Sequence, residues 1–247
     1  MPDGLAEHGQ YLRHIMLEPG TDDRYPFNLP VIGNLAPPEG LGIPPGITFL
    51  TGDNGTGKST LLEAIAVVAG FNAEGGTTAF RFATRRSESD LAHAIRMQWA
   101  ARPRTGFFLR AESFYNVATE IENLRATQFY GGHSLHERSH GESFLDVVNH
   151  RFGPNGLYLL DEPEAALSVR GCLALIARIV DLLDHGCQFI VATHSPILLA
   201  VPGAHLLEIS DDGSIAPIGY DQSEPVRLMR AFLDQPSTFL HHLLAPD

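Results

Sequence analysis

The nine residues from Gly52 to Thr60, GDNGTGKST, constrain this chain more than any other stretch. Gly52, Gly55 and Gly57, followed at once by Lys58, Ser59 and Thr60, fit the spacing G-x-x-x-x-G-K-[ST]. The run Gly46-Ile47-Thr48-Phe49-Leu50 in front of them predicts a short buried strand, and Leu61 to Ala69 behind them predicts a helix. Glycines at such a strand-to-helix turn tolerate positive φ, and successive N–H groups beside a helix N-terminus favour an anion. The expectation is a loop that cradles phosphates through Gly52, Asn54, Gly55, Thr56, Gly57 and Thr60. Lys58 should reach the β- and γ-phosphates, and Ser59 should bind Mg²⁺.

Lys58 is the one lysine among 17 basic residues; all the others are arginine. A sequence that replaces lysine by arginine everywhere else has kept it here, where a compact ammonium fits and a planar guanidinium does not.

The length of 247 residues is ample for one large α/β core with an inserted subdomain. Hydrophobic content of 44% and charged content of 19% suit a globular chain. No apolar run approaches the ~18 residues of a membrane span, and the sequence opens without a basic and apolar leader, so a cytoplasmic protein is expected. Cys172 and Cys187 read as buried thiols. The net charge of −12 argues against non-specific wrapping by nucleic acid. Locally, however, Arg81, Arg85, Arg86, Arg96, Arg102, Arg104 and Arg110 stand against only Glu88 and Asp90. This arginine cluster is either a solvated, salt-bridged face or a contact for a partner.

Along the chain, Tyr11 to Leu17 predicts a first strand. Prolines 37, 38, 44 and 45 argue against helix before the phosphate loop. Thr77 to Ala83 reads as a weak strand, and Ser89 to Ala100 and Ser113 to Ala126 as helices around the apolar strand Gly106 to Leu109. Ser143 to Phe152 carries a helical apolar face. Leu157-Tyr158-Leu159-Leu160 reads as a central parallel strand ending in Asp161-Glu162-Pro163, where ligands bind in open α/β sheets. Ala165 to His185 is expected to be helical, Gln188 to Ala192 to be the next strand, and Thr193-His194-Ser195 to follow it. Two strand-like segments, Leu206 to Ser210 and Ser214 to Ile218, precede two short amphipathic helices, Pro225 to Leu233 and Ser237 to Leu244.

Neighbours at a strand end point in different directions, so Asp161 and Glu162 do different work. Asp161 is expected to share the Mg²⁺ with Ser59, Glu162 to polarise the attacking water, and His194 to reach the γ-phosphate. Ser139-His140-Gly141-Glu142 opens a helix and forms a second anion site, useful if it caps a phosphate held by another chain. His133, His136 and His140 have no supporting cysteine or carboxylate cluster and read as a solvated loop.

The ordered set of phosphate loop, SHGE, LLDEPEAAL and ATHS resembles the ABC-type ATPases, and more closely the small stand-alone ATPases with FRFATR-, GFFLRAESF- and SHGESF-like stretches. The resemblance spans about Tyr11 to Ser210. It implies a mixed, mainly parallel α/β sheet with flanking helices, comprising a nucleotide-binding core (1–84 and 153–221), an inserted helical lobe (85–152) and C-terminal helices (222–247). It also implies a head-to-tail homodimer closing on two ATP molecules. Ser139, Gly141 and Glu142 then act in trans, Ala165 to Ser168 cross the interface, and His194 is the switch residue. Three departures stand out. The usual Leu-Ser-Gly-Gly-Gln is here Arg138-Ser139-His140-Gly141-Glu142. The glutamine normally offered to Mg²⁺ is missing, and Glu112 is the substitute. The adenine-stacking aromatic is Tyr25 or Phe27.

Some 80 residues between the phosphate loop and the signature leave no room for a long coiled-coil arm. Three readings follow. The first is a soluble ATP-driven switch or motor acting on a protein or nucleic-acid partner. The second is the ATP-binding subunit of a membrane transporter, and the third is a nucleotide-dependent binding module with little turnover.

Overall fold

The computed structural model describes residues 9–18, 24–77, 89–123, 128 and 139–244. Its elements in chain order are β1 (Leu12–Leu17), α1 (Pro30–Gly33), β2 (Leu41–Gly42), β3 (Ile47–Gly52), α2 (Lys58–Val68), α3 (Ser89–Ala94), β4 (Ile95–Trp99), β5 (Thr105–Arg110), α4 (Phe114–Asn123), α5 (His140–Arg151), β6 (Gly156–Asp161), α6 (Val169–Asp184), β7 (Gln188–Ala192), β8 (His205–Ile209), β9 (Ile215–Pro217), α7 (Glu224–Asp234) and α8 (Pro236–Leu244).

The main sheet has the order β5-β6-β7-β3-β8-β9. Its strands run parallel from β5 to β8, and β9 closes the edge antiparallel to β8. Because successive side chains point to opposite faces, strands that are apolar throughout must be covered on both. Phe49, Phe107, Leu109, Tyr158, Leu160, Phe189 and Val191 pack with α4, α5 and α6 on one face. Leu50, Phe108, Leu159, Ile190 and Ala192 pack with Leu61, Leu62 and Ile65 of α2 on the other. The buried Tyr158 ring stacks on Phe152 with centroids 4.1 Å apart, and its hydroxyl donates to Gly153 O at 2.8 Å.

A second, three-stranded antiparallel sheet, β2-β1-β4, lies beside the first. The buried Gln188 of β7 ties the two together: its Oε1 accepts from Tyr11 N and Leu12 N, and its Nε2 donates to Leu12 O and Pro44 O. This sheet corrects the expected helix from Ser89 to Ala100, which stops at Ala94. Ile95-Arg96-Met97-Gln98-Trp99 alternates between covered and exposed positions and pairs with β1, Leu17 opposite Ile95 and Ile15 opposite Met97. The span 85–152 is therefore not purely helical, since β4 and β5 belong to the two sheets and its described long helices begin at Phe114.

Other boundaries moved for local reasons. A one-turn helix, α1, precedes the phosphate loop despite the nearby prolines, with Pro30 at its first position, where a missing N–H costs nothing. The expected helix from Ala165 divides into a 3₁₀ turn, Pro163–Ala166, and α6, which Ser168 caps by accepting from Gly171 N. Of the strand expected over Thr77 to Ala83, residues 78–83 lie outside the described residues, as do Arg81, Arg85, Arg86, His133 and His136. Cys172 and Cys187 are free and buried, as expected. Only Val226 of α7 and α8 is buried, while Leu233 and Leu243 are exposed.

Candidate nucleotide site

The phosphate loop runs from the end of β3 into α2, as its glycine spacing demands. Gly52 sits at φ 138°, and a Cβ there would lie 2.2 Å from Ile209 O. Gly57 sits at φ 92°, where a Cβ would meet Val31 Cγ1 at 2.6 Å, so α1 presses directly on the loop. No side chain caps the N-terminus of α2, which leaves its first N–H groups to an anion. Thr56 is largely buried, and its hydroxyl donates to Asp53 O, closing the turn.

Lys58 is buried, and its Nζ donates to Gly52 O at 2.9 Å and Asp53 O at 2.6 Å. Burial lowers its pKa below the usual value, while Glu162, Asp53, Asp161 and Glu164 act in the opposite direction. Ser59 Oγ donates to Asp161 Oδ1 at 2.9 Å, so the hydroxyl and carboxylate expected to share Mg²⁺ are neighbours. Glu162 stands at the end of β6 in the left-handed region, φ 46°, a conformation uncommon for a residue with a side chain and concentrated at functional sites. It lines a cavity of about 260 Å³ together with Tyr25, Asn54, Gly55, Gly57, Lys58, Ser59 and Thr60.

Tyr25 is 63% exposed at the rim of this cavity, whereas Phe27 packs against the α2 core. Of the two aromatics, then, Tyr25 is free to meet a planar ring. Glu112 is exposed and borders a second hollow with Ser59, Asp161 and Glu162.

Arg110, counted with the surface arginines in the sequence, is in fact part of this site. At the end of β5 it stands in register with Asp161. Its Nε lies 3.2 Å from Asp161 Oδ2, and its Nη1 pairs with Glu63 of α2. Burial works against the guanidinium charge, but Asp161 and Glu63 outweigh it and hold its pKa above the usual value. Burial pushes the Asp161 carboxyl up, and Arg110 and Ser59 oppose that rise. A charged residue closing the apolar run Gly106 to Leu109, next to the strand that carries Asp161, is the sequence signal for this residue. Of the remaining arginines, Arg96 pairs with Glu18 and Arg102 lies over the Trp99 ring at 4.6 Å.

Glu164 was also missed. On the turn after β6, its Oε1 accepts from Thr193 Oγ1 at 2.6 Å and from His194 N at 3.0 Å, and it lies 3.7 Å from His194 Nδ1. The Thr193–His194 segment is thus bound to the end of the acidic strand, and Thr193 N donates to Leu50 O beside the phosphate loop.

The SHGE stretch starts α5. Ser139 and Glu142 form a reciprocal cap: Ser139 N and Oγ donate to Glu142 Oε2 at 3.1 and 2.7 Å, and Ser139 Oγ accepts from Glu142 N. A Cβ on Gly141 would come within 3.1 Å of Ala166 O, so the tip of α5 packs closely on the turn that follows Glu162. His140 stacks edge-on against Phe114. Among the described residues no three His, Cys, Asp or Glu side chains gather as a metal cluster.

Residues 34–98 match a family model described as an AAA domain, and residues 142–200 match a second AAA-domain model whose description adds AbiEii toxin and type IV TA system. The first segment contains the phosphate loop, and the second contains Asp161, Glu162, Glu164 and His194. The two segments that carry the site thus each match an AAA-domain model. The chain is similar to the SMC head domain from Thermotoga maritima, at 15% identity and a TM-score of 0.42, over 85% of this chain and 97% of that one. It is also similar to cbiO1 from Clostridium perfringens, part of the ABC transporter complex cbiONQ, at 17% identity and a TM-score of 0.45, over 93% and 97% of the two chains. No curated protein matches the sequence. Among the described residues no helix is long and apolar enough to cross a membrane.

Proposed function

We propose that this nucleotide-binding domain binds and hydrolyses ATP, and that ATP draws two copies together head to tail as a soluble switch or motor acting on a protein or nucleic-acid partner. The reading is carried by the convergence of Lys58, Ser59 and Glu162 on one cavity, with the Ser59 hydroxyl bonded to Asp161. In it, the loop N–H groups and the start of α2 bind the phosphates, Lys58 turns from its two carbonyl partners toward the β- and γ-phosphates, and Tyr25 covers the base. Ser59 and Asp161, with Glu112 across the second hollow, are the residues that fit Mg²⁺, which when bound would supply positive charge to the phosphate oxygens. Glu162 takes a proton from the attacking water as its oxygen bonds to the γ-phosphorus and the bond to ADP breaks.

A direct test is titration with Mg·ATP. Lys58→Ala removes a charge-assisted contact of about 1.5–3 kcal/mol, so affinity should fall roughly 10- to 150-fold. Equal affinity in parent and variant would remove the phosphate-loop assignment.

The dimer is proposed because the tip of α5, with exposed Ser139, is not among the residues lining its own chain's cavity, yet packs on Ala166, next to the Ala165 that lines the second hollow with Glu162. Glu142 opposes the arrival of a second chain's phosphate, since it places a carboxylate on the helix start. Glu142→Gln keeps an acceptor for the cap and removes that charge. ATP-dependent association should therefore tighten about two- to fivefold, measured by sedimentation across a concentration series. Unchanged or weaker association would place the partner's phosphate elsewhere.

A further inference from the structure

We propose that Glu164 is a positioning residue that orients His194, so that carboxylate and imidazole work as a pair at the γ-phosphate; this rests on the reading of His194 as the phosphate-facing switch. Three observations carry it. The Glu164 carboxylate is mostly buried, with a side chain 13% exposed, yet it sits on a turn where a solvated residue would serve equally well for packing. One of its oxygens gathers Thr193 Oγ1 and His194 N, fixing the backbone on which the imidazole is mounted. Its other oxygen, Oε2, is buried and has no hydrogen-bond partner among the described residues.

A buried carboxylate with one oxygen lacking a donor is under-satisfied, and a further charged or polar donor to either oxygen offsets part of that cost. The ring nitrogen nearest this carboxylate is His194 Nδ1, 3.7 Å from Oε1 and just beyond hydrogen-bond length. A small turn of the half-exposed ring closes that gap. Which imidazole nitrogen carries the proton is set by what the other nitrogen meets. Glu164 therefore holds the proton on Nδ1. Nε2 is then the ring nitrogen presented to a phosphate that approaches from the other side. Thr193, which caps Ser195 N as well as binding Glu164, serves the backbone and not the ring.

The test compares Glu164→Gln, which is isosteric and retains an acceptor without the charge, with Thr193→Val, which removes a tether of the same carboxylate. In the nucleotide-free protein, long-range ¹H–¹⁵N spectra report the His194 tautomer, with the signal assigned by its loss in His194→Asn. The expected result is an Nδ1–H tautomer in the parent and in Thr193→Val, and loss of that preference in Glu164→Gln. In steady-state hydrolysis, Glu164→Gln should lower kcat about tenfold or more while the KM for ATP changes little. An Nε2–H tautomer in the parent, or a Glu164→Gln protein with parental tautomer and kcat, would overturn the pairing. If the parent does not hydrolyse ATP at all, the proposed function fails, and the tautomer measurement still decides the pairing.

Discussion

Glu162→Gln should lower ATP hydrolysis about 100-fold or more while leaving Mg·ATP affinity close to that of the parent. The amide has almost the shape of the carboxylate and keeps the cavity wall intact, but it accepts a proton far less readily. Among the described residues the Glu162 side chain makes no hydrogen bond or ion pair, although its charge acts on Lys58 and Asp161, and its backbone N donates to Ala192 O whichever side chain it carries. Its left-handed backbone is open to glutamine at a cost similar to that for glutamate. The loss should therefore appear in kcat with the melting temperature unchanged. A variant that hydrolyses ATP at the parental rate would show that another group activates the water, and Glu112, facing the same hollow, would be the next residue to test.

The second large effect is expected at Arg110. Its guanidinium lies between two mostly buried carboxylates, Asp161 and Glu63, on two different elements. Replacing it with methionine keeps the apolar volume of the stem and removes this cation from both buried acids. Removing one partner of such a cluster costs about 3–5 kcal/mol, because the remaining charge has lost its compensation. In a chain of this size a loss of 3 kcal/mol lowers the melting temperature by roughly 6–12 °C. Arg110→Lys restores a charge but not the fork that reaches both acids, and should fall between the two. Because Asp161 is also a proposed metal-holding residue, adding Mg·ATP should recover part of the loss in Arg110→Met, and more than it adds to the parent. A methionine variant that melts within about 2 °C of the parent would mean that the cluster contributes little to holding β5, β6 and α2 together.

The parts of this site that could be read from the sequence depend on neighbours along the chain. Lys58, Ser59 and the loop glycines are placed by spacing alone, and Asp161 and Glu162 by the apolar strand that they terminate. The central strands were legible because a run that is apolar on both faces can only be covered on both. What the sequence did not yield depends on which distant segments meet. Residues Ile95 to Trp99 have a composition compatible with helix or strand, and pairing with Leu12–Leu17 decides between them. Arg110 looks like one more member of an arginine-rich stretch until β5 is placed next to β6. Glu164 acquires its meaning only from Thr193 and His194, about thirty residues further on. The mutual cap of Ser139 and Glu142 follows from the spacing S-x-x-E, which puts the two side chains within reach of each other's backbone N–H in a single turn.

The central claim is that two copies close on ATP. It is tested most directly by light scattering on the Glu162→Gln protein at saturating Mg·ATP, where slow hydrolysis keeps the closed form populated. The predicted mass is twice the 26.9 kDa of a single chain, returning to the single-chain value with ADP or when Ser139 is also replaced by arginine. A particle of 26.9 kDa that has demonstrably bound ATP would contradict it.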